Sequence, residues 1–160
     1  MEKECGDELT KKIKSIIQLF LKNRGKFVEK ANQKLFPLIV EESDWPFEIK
    51  QSKISLHSQL LELTPAFETS YLPANKNHRL IWSPFVGIVT LSIKFKGKYR
   101  TFLTKVEAAN LLLHIQKQST PLASYLCNTG YKLDEIEGSV QMLIQNNLVT
   151  STPKGSDVIL

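Results

Sequence analysis

Gly87-Ile88-Val89-Thr90-Leu91-Ser92-Ile93-Lys94-Phe95 and Tyr99-Arg100-Thr101-Phe102-Leu103-Thr104, joined by Lys96-Gly97-Lys98, run straight into Val106-Glu107-Ala108-Ala109-Asn110-Leu111-Leu112-Leu113. Val89, Leu91, Ile93 and Phe95 alternate with Thr90, Ser92 and Lys94, the period of a strand with one buried face. Gly97 is free to take the positive φ of a hairpin turn. Thr104, three residues before Glu107, predicts a capping box at the start of the next helix. That helix is expected over 105 to about 117, with Val106, Ala109, Leu112, Leu113 and Gln116 near one face and Leu111 and Ile115 widening it. A hairpin leading into a capped helix holds no catalytic constellation. Its chemistry is strand pairing and packing, which points to association rather than catalysis.

Working outward, 160 residues suffice for one ordinary domain or two small ones, and 42% hydrophobic with 23% charged residues is a globular composition. No apolar run is long enough to span a bilayer, and the charged start Met1-Glu2-Lys3-Glu4-Cys5-Gly6-Asp7-Glu8 has no signal-peptide core. With two distant cysteines, Cys5 and Cys127, a reduced intracellular location (cytoplasm or nucleus) is expected. The net charge is +5, but it is uneven: residues 1–34 carry nine Lys/Arg against five Asp/Glu, residues 35–104 eight against six, and residues 105–160 four against five. The basic excess therefore lies away from the last third of the chain.

Toward the N-terminus, Leu9, Ile13, Ile16 and Phe20, widened by Ile17 and Leu21, predict a core-facing helix from 7 to about 23, ended by Gly25. Leu35-Phe36-Pro37-Leu38-Ile39-Val40 reads as an edge strand, Trp45-Pro46-Phe47 as a rigid corner, and Ile54-Ser55-Leu56 as a short strand. Residues 58–72 read as a helix burying Leu60, Leu61, Leu63, Phe67 and Tyr71, kinked or restarted at Pro65 with Thr64 as cap. Arg79-Leu80-Ile81-Trp82 reads as a strand. Toward the C-terminus, Pro121 starts a helix ended by Gly130, and Asp134 with Glu137 caps another bearing Ile136, Val140, Leu143 and Ile144. Residues 148–151 and 156–160 flank Thr152-Pro153-Lys154-Gly155 as a second hairpin. Three helices and a hairpin are the order of a winged helix-turn-helix. The fold class is thus α+β: a helical lead-in (1–34), a small mixed α/β segment (35–104) and a winged helix (105–160).

His57, His78 and His114 lack metal-ligand spacing, and no Gly-rich phosphate loop occurs, so neither a cofactor nor a metal is expected. His114 in an apolar helix reads as a structural histidine, Cys127 as a small buried hydrophobe, Glu41, Glu42 and Asp44 as a solvated acidic turn, and Trp45 and Trp82 as core anchors. The rival class is a winged-helix nucleic-acid-binding protein. Its recognition helix would carry Asp134, Glu135 and Glu137 and no Lys or Arg, a poor match to phosphate.

In order and spacing, Trp45-Pro46-Phe47, Ile54-Ser55-Leu56, Phe67-Glu68-Thr69-Ser70-Tyr71-Leu72, Arg79-Leu80-Ile81-Trp82, Gly87, the helix from Val106 to Leu113 and the stretch from Asp134 to Val149 resemble the C-terminal region of a cullin. Glu107 stands where that family usually has Gln. The resemblance extends to the cullin-like subunit of the anaphase-promoting complex. It implies a non-catalytic scaffold of a cullin–RING ubiquitin ligase, no membrane association, and β-augmentation by the N-terminal strand of a RING-box protein that recruits a ubiquitin-charged E2. The residues it implies for the joint core are Leu80, Trp82, Val89, Leu91, Ile93, Phe95 and Phe102. The 160 residues include neither the family's long helical repeats nor its second winged helix, so no lysine is assigned as a modifier acceptor.

Overall fold

The computed structural model describes residues 6–28, 34–46, 53–95, 97–116, 119–154 and 157–159; at 23–28, 95, 153–154 and 157–159 it describes the backbone alone. Strands β1 (Ile88–Phe95) and β2 (Lys98–Lys105) form the expected antiparallel hairpin, with Leu91 opposite Phe102 and Ile93 opposite Arg100, but Lys98 is not in the turn: it opens β2 opposite Phe95. Gly97 sits in the turn at φ +81°. Directly opposed residues share a face, so Val89, Leu91, Ile93, Arg100, Phe102 and Thr104 line the inner side, where Leu91 and Phe102 pack on the core.

Helix α4 (Val106–Ile115) follows β2 at once and packs against both strands and against α6 (Leu133–Gln145). The expected capping box does not form. The ladder carries Thr104 opposite Val89 and ends at Lys105, so the helix begins one residue later, with Lys105 as its uncapped N-cap. Helix α5 (Leu122–Thr129) begins after Pro121, which is the N-cap rather than the first helical residue. It ends at Gly130, whose φ of +80° is left-handed and whose added Cβ would lie 2.9 Å from the Lys53 carbonyl oxygen. Only glycine meets both demands without strain. In α6 the N-cap is Lys132, not Asp134, because Glu135 reaches back to accept from the Lys132 amide at 3.0 Å. The far end of α6 closes as a Schellman motif: Asn147 is left-handed at φ +55°, its amide donates to Ile144, and the Leu148 amide donates to Leu143 at 3.0 Å. That closure draws Leu148 and Val149 into the core. Residues 148–151 are therefore not strand, and the second hairpin is β3 (Thr152–Lys154) with β4 (Asp157–Ile159). The core comprises Ala108, Leu111, Leu112, Tyr125, Tyr131, Ile136, Val140, Leu143 and Val149, all from α4 onward.

The first half departs further from expectation. Helix α1 (Asp7–Val28) runs through Gly25, a residue that a helix interior tolerates at a cost of about 1 kcal/mol. Its apolar stripe lies outside the core cluster: Leu9, Ile13 and Ile16 are half-buried, and Ile17, Phe20 and Leu21 are exposed. Residues 35–40, 54–56 and 79–82 are not strands, and among the described residues β1 and β2 form a two-stranded sheet. Over 58–72 the chain restarts at Pro65, as one of the two expected forms had it: α2 (Ser58–Leu61) is followed by α3 (Pro65–Tyr71) with Thr64 at its N-cap position, and Leu61 is exposed rather than buried. Trp45 is extended before Pro46, as its neighbour dictates; Phe47, Lys96 and Gly155 lie outside the described residues.

Candidate functional site

The hairpin is the element around which the expected partner-binding residues gather. Val89, Leu91, Ile93 and Phe102 share its inner face and are half-buried. Phe95 ends the same strand opposite Lys98, and its side chain lies outside the described residues. Leu80 is half-buried on a stretch that has no regular secondary structure and joins no sheet among the described residues. Trp82 is 37% exposed and is not a core anchor. Its indole meets Phe67 edge-on and donates to the Glu68 carboxylate, while Phe67 stacks on Tyr71. Trp82 therefore belongs to an aromatic cluster with α3, whereas Leu91 and Phe102 belong to the main core. Among the described residues the sheet has two strands, each at an edge.

A hydrogen-bonded clamp that sequence reasoning missed holds residues 53–57 against this platform's base. Asn110, fully buried in the middle of α4, accepts from the His57 amide at 2.7 Å. Its amide group donates to the Tyr125 hydroxyl at 3.1 Å and toward the Ser55 carbonyl at 3.4 Å. The Ser55 amide in turn donates to the Thr129 carbonyl at 2.8 Å. The signal was an asparagine set between Ala109 and Leu111, where only a satisfied polar group is tolerated. His114 is structural, as expected: Nδ1 donates to the Asn110 carbonyl at 2.8 Å, and its ring lies edge-on to His57 and Tyr125. Burial pushes the Tyr125 hydroxyl up to about 12, against a smaller opposing effect of its Asn110 hydrogen bond. Burial, and then the neighbouring Tyr125 and Glu107, also raises Tyr131.

Among the described residues no group of His, Cys, Asp and Glu could hold a metal, and no helix is long and apolar enough to cross a membrane. Cys127 is exposed on α5, not buried, because it faces away from the side of the helix that carries Tyr125 into the core. Glu107 is buried, with Ser139 donating to it at 3.4 Å.

No curated protein matches the chain. Residues 39–159, most of the chain, match the family model described as the Cullin alpha+beta domain. The match begins within the residues 35–40 read as an edge strand, runs through the hairpin and α4, and ends at the last described residue of β4, so the chain belongs to the cullin α+β domain family.

Proposed function

We propose that this chain is a non-catalytic scaffold piece of a cullin–RING-type ubiquitin ligase, inside the cell, and that its hairpin takes up the N-terminal strand of a RING-box protein. The observation that carries this reading is the two-stranded sheet itself. Each strand is an edge, and edges offer backbone groups to an added strand. Leu80, Trp82, Val89, Leu91, Ile93, Phe95 and Phe102 are the residues proposed to meet it.

The unit from α4 to β4 reads as a winged helix. Pro121 makes an isolated bridge just before α5, and β4 lies against α5, so the second hairpin folds back onto the helices as a wing does. Asp134 and Glu135 in the first turn of α6 suit the helix dipole and repel phosphate, which favours a protein partner over duplex DNA for this helix.

The test is co-expression of the full chain with a RING-box protein, followed by size-exclusion chromatography and amide hydrogen exchange. A one-to-one complex with new protection along β1 or β2 supports the reading. Two separate folded species, or a complex that leaves both strands unprotected, overturns it.

A further inference from the structure

The hairpin has a second side. Ile88, Thr90, Ser92 and Lys94 on β1 face outward with Tyr99, Thr101, Leu103 and Lys105 on β2, and all eight are exposed. Ile88, Tyr99 and Leu103 are 76%, 75% and 73% exposed, unusual values for large apolar side chains on a sheet. Ile88 and Leu103 are diagonal cross-strand neighbours near the base, and Tyr99 stands opposite Lys94 near the tip. Ser92 and Thr101 hydrogen-bond to each other at 2.8 Å between them. The charge is one-sided. On this face it comes from Lys94 and Lys105, and residues 87–105 contain no Asp or Glu.

We propose that this outer face is a docking surface for an acidic protein segment that alternates carboxylate and apolar side chains. Charge complementarity selects the occupant. The apolar stripe from Ile88 and Leu103 to Tyr99 is bracketed by Lys105 at one end and Lys94 at the other. Lys105 lies 3.9 Å from the Glu107 carboxylate and keeps a mostly exposed side chain, so it remains accessible to a partner. A nucleic acid would satisfy the lysines and leave Ile88 and Leu103 against a charged backbone. A second copy of this chain would set one cationic hairpin against another. An acidic, apolar peptide satisfies both features at once. The surface is distinct from the edge proposed for the RING-box strand, since one uses side chains on a face and the other uses backbone groups on an edge.

The test uses the full chain and a fluorescein-labelled peptide of about eight residues, the span of one strand at ~3.3 Å per residue. The peptide alternates glutamate with leucine and valine; a control peptide has lysine for glutamate. Anisotropy should show binding of the first and none of the second, weakening as salt rises. Ile88→Thr with Leu103→Thr should weaken binding about tenfold or more, and Lys94→Gln with Lys105→Gln should remove most of its salt dependence. All four residues are exposed, so thermal melts should match the parent chain. Unchanged affinity in the Ile88/Leu103 variant overturns the proposal. So does duplex DNA that competes as well as the acidic peptide, which would make the hairpin a polyanion-binding arm. Binding of a RING-box tail peptide to the same variants should be unaltered, so failure at the face and failure at the edge are read separately.

Discussion

Helix α4 and the hairpin before it are adjacent in sequence and treat their apolar residues in opposite ways. Six successive residues of α4, Glu107 to Leu112, are buried, and they include a glutamate and an asparagine. The outer face of the hairpin leaves Ile88, Tyr99 and Leu103 in solvent. The helical region spends apolar surface on a core dense enough to require Asn110 and Glu107 to find partners. The hairpin uses only its inner face for that core, through Leu91 and Phe102. Stability resides in one region and availability to a partner in the other.

The largest effect should come from the core. Leu143→Ala, at a fully buried site, should cost about 2–5 kcal/mol through lost transfer energy and a residual cavity, read as a lower urea midpoint. A cost like that of a surface residue would remove the distinction between the regions. Next, Asn110→Ala should cost about 1–3 kcal/mol, because it strands the His57 amide and loosens Ser55 from α4. Hydrogen exchange should then quicken at His57 while the β1–β2 amides are little changed. Gly130→Ala should cost about 1–3 kcal/mol, since alanine is strained at this φ and meets the Lys53 carbonyl.

Alkali should sharpen the contrast. The buried Tyr125 holds its proton up to about 12 in the folded chain, against an ordinary value of 10.0. Between these values the native state binds more protons than the unfolded state, so stability is full below pH 10 and falls as pH rises toward 12. Tyr131 acts in the same direction. A pH-dependent denaturation series should show that fall, and Tyr125→Phe should lessen it. The smallest effect belongs to the hairpin's outer face, where Leu103→Thr should shift stability by no more than about 0.5 kcal/mol. A large loss there would mean that the face belongs to the fold and not to a partner.

Much of the candidate site was legible because its signals are local. Period-2 alternation from Val89 to Phe95 placed Leu91 and Ile93 on one face, and Gly97 placed the turn. Trp82 was misread because apolar character alone cannot distinguish the main core from a side cluster on Phe67 and Glu68. The outward-facing Ile88, Tyr99 and Leu103 went unread for a related reason: alternation separates two faces without saying that the second stays uncovered.

The sequence by itself determined the hairpin and the three helices from α4 to α6, since turns and apolar period act between residues a few positions apart. It also carried the family, through the order of those elements. Tertiary structure alone decided that residues 35–40 and 79–82 are not strands, that Asn110 fastens residues 53–57, and that α1 exposes Phe20 and Leu21. Each of these depends on a partner distant in sequence or absent from the chain's own fold. A ladder needs a second strand, a buried amide needs its acceptors and donors, and an apolar stripe is buried only where another surface meets it.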